Sequence, residues 1–358
     1  MANLDTGEFS RPVGFGIVGL GMIAGFHARA LAETTGAKLV GVVAREAAKA
    51  QAFAAQHGGG WATDSVEELV ARADIDVVII ATPSGAHLEP ALAAIRAGKH
   101  VLVEKPIEIS VERTDALLAA ADAAGVQVGA IFQSRFGAGA QALKAAVDAG
   151  RFGRFVLASA NVKWHRAADY YRGWKGTLAL DGGAVLINQG IHTVDLLQWL
   201  AGMPETVAAW TARRVHTQIE GEDTMTAMLR FPHGALGTIE ATTAAWPGWQ
   251  RRIELCGENG SALLEDDRLV RWDFRDVQPG DEAVRASAVA EGAPSGGAGA
   301  ANQISYAGHQ RQIADFVAAV RTGKRVAVDG REARKAVALV RAIYESAAAG
   351  GAVTRVAP

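Results

Sequence analysis

VGFGIVGLGMIAGFHARAL, Val13–Leu31, decides the fold. A short apolar run leads into Gly19-Leu20-Gly21-Met22-Ile23-Ala24, and an Ala-rich segment of helical periodicity follows. The pattern is G-x-G-x-x-A between a strand and a helix. Gly19 permits the tight turn, Gly21 lets a pyrophosphate approach the backbone, and Ala24 lets the helix pack close to the strand. Unpaired N–H groups at the helix start, Met22 and Ile23 among them, then face the phosphates with the positive end of the helix dipole. The stretch predicts a dinucleotide-binding βα unit, hence an α/β domain with a parallel sheet.

Composition sets the limits. At 358 residues the chain exceeds a usual single domain, so two are expected. Apolar residues make up 49% and charged residues 21%, an ordinary balance with ample material for a core. A formal net charge of −2 gives no electrostatic reason to expect nucleic acid or an anionic membrane as partner. The one cysteine, Cys256, excludes an intrachain disulfide framework and a multi-thiolate zinc site, and no metal is expected. No apolar run is long enough to span a bilayer, and the first 14 residues lack a secretory h-region, so a cytoplasmic protein is expected.

A second strand, Lys38–Ala44, ends where dinucleotide folds place an acid for the ribose 2′-hydroxyl. Here stand Ala44 and Arg45. A cation in that place suits a 2′-phosphate, so NAD(P) is expected as cofactor with a lean towards NADP; the other reading leaves Arg45 in solvent and gives the ribose to Glu46. The buried strand Val77–Ala81 ends at Thr82-Pro83, which should border the cofactor; His87, at the start of the next helix, counts among the cofactor-side residues and is expected to cap or pack there rather than react. His100–Val103 then delivers Glu104-Lys105-Pro106 to the same edge, where Glu104 and Lys105 are expected to border the cofactor. A lysine at a strand's carboxyl end can hold a substrate hydroxyl and help carry away its proton. Helix Val111–Ala124 and strand Val126–Phe132 complete the first domain, expected over 1–133, with Gln133 and Arg135 just beyond the last strand, placed to border the cofactor or the substrate, Gln133 the cofactor.

With GLGMIA, ATPSGAH and VLVEKP in this order, the chain resembles the glucose–fructose oxidoreductase/inositol dehydrogenase/MocA (GFO/IDH/MocA) family from about Val13 to the C-terminal helix. The resemblance implies a Rossmann domain and, over 134–358, an α/β domain with a large open, mostly antiparallel sheet. That sheet commonly mediates oligomerisation in the family, so a homo-oligomer, dimer or tetramer, is expected. The C-terminal helices, His309–Val320 and Arg331–Ala348, are allowed to pack back on the first domain, with His309 a weaker substrate candidate. Strands are read at Phe155–Val162, Val207–Arg214, Thr224–Phe231, Ala235–Ala241 and Gln250–Cys256. Gln278–Asn302, rich in Gly, Ala and Ser, reads as a surface loop.

Between the first two of those strands, Gly190–Leu200 is amphipathic at helical spacing. Asn188 and His192, four apart, share a face if the turn is helical. An imidazole of near-neutral pKa suits His192 as general base, and the family pattern D-x-x-x-H implies that Lys105 and His192 flank the nicotinamide. The chain departs from that pattern in carrying Asn188 for the Asp. The form N-Q-G-I-H, after Y-Y…W-K-G-T…D-G-G, resembles the sugar-nucleotide 3-dehydrogenase branch and its free-sugar neighbours. Arg166, Tyr170, Tyr171 and Trp174 are then candidate sugar contacts, since aromatic faces pack on a pyranose ring. The expectation is an NAD(P)-dependent dehydrogenase of a sugar or cyclitol hydroxyl, with Lys105 and His192 catalytic. A UDP-sugar substrate, met by Arg135, Arg154, Arg251 or Arg252, is the rival within the class. A non-catalytic, NAD(P)-sensing regulatory protein is the rival outside it.

Overall fold

The computed structural model describes residues 11–290 and 305–357, apart from the side chains of 287–290. The chain forms two compact units. The first comprises the chain up to Glu108, Glu112–Gln133 and Tyr306–Ala333; the second comprises Ile109–Val111, Ser134–Ser305 and Arg334–Pro358.

In the first unit, β1 (Val13–Val18), β2 (Ala37–Val43), β3 (Trp61–Thr63), β4 (Val77–Ile80), β5 (His100–Val103) and β6 (Val128–Ala130) form one sheet. Its order is β3-β2-β1-β4-β5-β6 and every pairing is parallel. This is the doubly wound dinucleotide-binding order, whose switch point lies between β1 and β4. Helices α1 (Met22–Ala32), α2 (Ala47–His57), α3 (Val66–Val70), α4 (Leu88–Arg96) and α5 (Val111–Ala124) connect the strands. β1 and β4 are buried along their whole length, as parallel strands covered on both faces must be. Ser65 caps α3 by accepting the Glu68 N–H at 3.1 Å. Helix Ala307–Thr322 belongs to this unit, and its Ile313, Phe316, Val317 and Val320 join the core beside Phe15, Ile17 and Leu31.

The second unit opens with α6 (Ala138–Asp148) and β7 (Phe155–Lys163), and continues through α7 (Ile191–Ala201) to β8 (Thr206–Ala212), β9 (Thr224–Arg230) and β10 (Leu236–Thr242). β11 (Arg252–Gly257), β12 (Gly260–Glu265) and β13 (Arg268–Phe274) follow, then α8 (Asp281–Ala290), and β14 (Thr354–Arg355) closes the chain after α9 (Ala307–Thr322) and α10 (Gly330–Ala348). The eight-stranded sheet runs β13-β12-β11-β7-β10-β9-β8-β14, with only β7–β10 parallel. β9 alternates strictly, burying Met225, Ala227 and Leu229 and exposing Met228.

The structure corrects the reading of Gln278–Asn302 as a loop. Asp281–Ala290 is helical, anchored by Asp281, which accepts from both Arg151 and the Trp272 indole N–H at 2.7 Å. The remainder, 291–302, lies outside the described residues. Strands β12 and β13 were also not anticipated, because Gly260 sits inside the ladder where its sequence suggests only a turn.

Candidate active site

The phosphate turn is built as its glycines require. Gly19 has φ of +92°, and a Cβ there would stand 2.7 Å from the Ala81 carbonyl and the Thr82 nitrogen. Only glycine fits that crossing of β1 over the end of β4. Gly21 differs: it caps α1 with ordinary φ of −79°, and a Cβ there would meet nothing within 4 Å. No side chain caps α1 and no acid stands in its first turn. Open space before uncapped helix N–H groups is a fit for a dinucleotide's pyrophosphate. Met22 is exposed and Ile23 half-buried at this helix start, while Ala24 is buried under it. Arg45 is exposed just past β2, next to exposed Glu46.

At the carboxyl ends of β4 and β5 two turns stand side by side within this unit. Thr82 Oγ1 donates to the Ala86 carbonyl at 2.8 Å, and Pro83 is half-buried. His87 packs at its helix start: it is buried, with Nε2 3.0 Å from the Thr82 carbonyl and Nδ1 3.0 Å from the Pro106 carbonyl. It ties the Thr82-Pro83 turn to the Lys105-Pro106 turn, and burial pushes its pKa down. Glu104, also read as a cofactor contact, is likewise turned inward. Its Oε1 lies 2.7 Å from His27 Nε2 and its Oε2 accepts the Lys105 N–H at 3.1 Å. Although burial opposes ionisation, the bond from His27 and the charges around it hold this carboxyl down at about 2. Lys105 is half-buried at the sheet edge. Gln133 follows β6 in a short 3₁₀ turn and is half-buried.

In the second unit Val185–Gly190 forms a π-helical turn that runs directly into α7. Such wide turns are common where side chains must be aimed at a site. Asn188 is buried, and its Nδ2 donates to Asp181 Oδ1 at 2.7 Å. A buried carboxylate thus stands beside the position where the family pattern has its own. Gln189 Nε2 donates to Tyr170 Oη at 2.8 Å, and the Arg166 guanidinium lies over the Tyr170 ring at 5.4 Å. Buried Arg166 and Asn188 and half-buried Tyr170 are therefore brought into one polar cluster, in which burial draws the Arg166 pKa down and the Tyr170 pKa up. Trp174 is half-buried and enters a turn through its carbonyl, which Thr177 Oγ1 reaches at 2.7 Å. Tyr171 is buried, with its hydroxyl 2.6 Å from Thr243 Oγ1. His192 is half-buried in the first turn of α7.

Four arginines raised as ligand contacts have protein partners. Arg135 forms a buried two-pronged pair with Asp195, at 2.6 and 2.8 Å, and so braces the helix that carries His192. Arg154 pairs with Glu258, Arg252 with Glu265, and Arg251 donates to Ser134 beside Asp266. His309, the weaker substrate candidate, is buried in the first unit, ring against ring with His27 at 5.3 Å. Sequence reasoning missed His27, Glu104's inward role and Asp181. The only signal for His27 was a polar ring on the apolar face of an Ala-rich helix.

Comparison with known proteins places these halves. Residues 13–132 match the oxidoreductase family with an NAD-binding Rossmann fold, and residues 140–263 match the GFO/IDH/MocA C-terminal domain. The 1,5-anhydro-D-fructose reductase of Ensifer adhaerens is 32% identical over 253 residues, 70% of this chain and 74% of the relative. The inositol 2-dehydrogenase of Rhizobium meliloti (strain 1021) is 28% identical over 342 residues, 94% and 97% of the two chains. Among solved structures, the WlbA dehydrogenase from Bordetella pertussis, in complex with NADH and UDP-GlcNAcA, superposes with a TM-score of 0.86 at 32% identity, covering 98% of this chain and 99% of that one.

Proposed function

Because the chain belongs to the GFO/IDH/MocA oxidoreductases, we propose that it is an NAD(P)-dependent dehydrogenase of a secondary hydroxyl on a sugar or cyclitol. The observation that carries the reading is the first unit's sheet edge, where the open phosphate cradle at Gly21 and the Lys105 turn follow β1 and β5, the parallel strands on either side of β4. Ligands of open α/β sheets bind outside the carboxyl ends of the strands. When bound, the oxidised nicotinamide supplies the hydride acceptor. Lys105 donates to the substrate oxygen and stabilises the charge that grows there as the O–H proton leaves. His192 takes that proton on its imidazole. Arg166, Tyr170 and Asn188 hold the ring and its hydroxyls, with Asp181 fixing the Asn188 amide. Reduced-nicotinamide absorbance over a panel of free hexoses, anhydrosugars, inositols and UDP-sugars tests the proposal. Turnover abolished by Lys105→Ala and by His192→Ala supports it. A cofactor-binding protein with no turnover anywhere on the panel favours the sensor.

A UDP-sugar is the second reading, supported by the WlbA complex with UDP-GlcNAcA, which matches over nearly the full chain. Turnover on UDP-sugars alone selects it.

The reading includes assembly with a second copy through the outer face of the eight-stranded sheet. Leu157, Trp210, Met228 and Leu236 are exposed on β7 to β10, and Leu157 lies opposite Leu236 in the ladder. Exposed apolar surface of that kind marks an interface. Met228→Glu with Leu236→Glu should lower the mass measured by light scattering; an unchanged mass refutes it. No helix among the described residues is long and apolar enough to cross a membrane. A cytoplasmic location fits a chain with one cysteine.

A further inference from the structure

Glu104 sits between two side chains, His27 and His309, whose roles the reaction has not yet used. His27 comes from α1, the helix whose uncapped start faces the proposed phosphate site; Glu104 and Lys105 follow β5; His309 comes from α9. All three ring and carboxylate groups are buried. His27 Nδ1 is buried without a hydrogen-bond partner, so its ring holds a proton on Nε2, facing Glu104 Oε1 at 2.7 Å. The other carboxylate oxygen accepts the Lys105 backbone N–H. His309 Nε2 stops 4.0 Å short of the same carboxylate and makes no bond to it.

We propose that His27 is a positioning residue: through Glu104 it fixes the backbone of Lys105 and keeps a buried negative charge beside the Lys105 ammonium. The proposal rests on the reading of Lys105 as catalytic. A carboxylate shared between an imidazole N–H and a backbone N–H cannot rotate without leaving one donor bare in the core. The start of the phosphate helix and the lysine turn are thereby coupled within one unit. His309 faces the pair as a neutral ring, since burial brings its pKa down to about 4. It adds no second cation, so Glu104's charge is shared by His27 and Lys105. His87, the next ionisable group, senses the same charge from the far side of the lysine turn.

The cluster has the residue types of a His-Glu-His metal site, with donor atoms within 4.8 Å of one another. The 2.7 Å His27–Glu104 contact speaks for a hydrogen bond. Two ligands on one tetrahedral zinc, each about 2.1 Å from the ion, stand roughly 3.4 Å apart.

The test compares His27→Leu, His27→Gln, Glu104→Gln and Lys105→Ala in the full chain. With a sugar substrate, His27→Leu should lower kcat by about tenfold or more, at an NADH Kd within about threefold of wild type. His27→Gln, whose Nε2 can donate to the same oxygen, should restore kcat to within about threefold of wild type. In Glu104→Gln the limb of the wild-type pH–kcat profile that reports an ammonium losing its proton should move about one unit lower, because an ammonium without its anion loses its proton more readily. Loss of turnover in Lys105→Ala, with neither kcat nor that limb altered in the other variants, overturns the proposal. Amide exchange at Lys105 reads the same coupling without turnover, even if Lys105 proves not to be catalytic. Exchange should be at least about tenfold faster in His27→Leu and near wild type in His27→Gln. Equal exchange in wild type and His27→Leu overturns the positioning role. One zinc per chain in the purified protein, lost in His309→Ala, overturns it in favour of a metal centre.

Discussion

His309 makes the first unit's stability depend on pH in a window that Glu104 leaves untouched. Burial, then the neighbouring His27, brings the folded pKa to about 4, against 6.5 for an unperturbed histidine. Between those values the unfolded chain binds a proton that the folded one refuses. This contribution to stability is therefore complete above the unfolded pKa and is lost as pH falls towards the folded one. Full loss across the 2.5-unit gap is worth about 3 kcal/mol, and the part lost between pH 7 and pH 5 is about 2 kcal/mol. Glu104 acts in the opposite sense of ionisation but the same direction in pH. Its folded value near 2 lies below the ordinary 4.5, so its share is lost only on further acidification. Urea unfolding of wild type and His309→Gln at pH 7 and pH 5 gives a difference of differences. Any packing cost of the substitution cancels, as does the titration of His87, His57 and His100, which burial also depresses. Wild type should lose about 2 kcal/mol more than the variant on going to pH 5. Equal losses would refute the assignment of this titration to His309.

Truncating Arg135 to Leu leaves Asp195 buried without its two-pronged partner and should cost about 3–5 kcal/mol in urea unfolding, whereas Arg135→Leu with Asp195→Leu should cost clearly less. Gly21→Ala should fold with wild-type stability yet weaken NADH binding by about tenfold, measured by titration calorimetry, because its Cβ enters space open to the phosphates. Gly19→Ala forces a side chain into the Ala81–Thr82 backbone and should lower the melting temperature as well. Arg45→Ala should reduce the ratio of NADP to NAD affinity, as measured by fluorescence titration; an unchanged ratio leaves Arg45 a solvated surface residue.

The sequence was most legible where one local pattern has one physical use. Gly19, Gly21 and Ala24 differ in what each backbone must tolerate, and the alternation of β9 and β10 declares a sheet with one covered face. Lys105 was legible from its place before a proline at a strand's end. The inward-facing roles were not. His87 reads as a residue that caps or packs at a helix start, but nothing local tells that its ring spans two carbonyls, which meet only because β4 and β5 are neighbours. Arg135 and Asp195 lie 60 residues apart, and their pairing follows from how α7 folds back over the turn after β6. The Asn188–Asp181 contact depends on a π-helical turn, whose wide spacing no 3.6-residue periodicity announces. His27, Glu104 and His309 come from three separate segments, so their cluster exists only once the sheet order is set.

The measurement that bears most directly on the account is steady-state reduction of NAD and NADP over the sugar, cyclitol and UDP-sugar panel, for wild type, Lys105→Ala and His192→Ala. The account predicts turnover by wild type on at least one member, and loss of that turnover in both variants with cofactor affinity kept. Turnover that survives either substitution would contradict the roles given to Lys105 and His192.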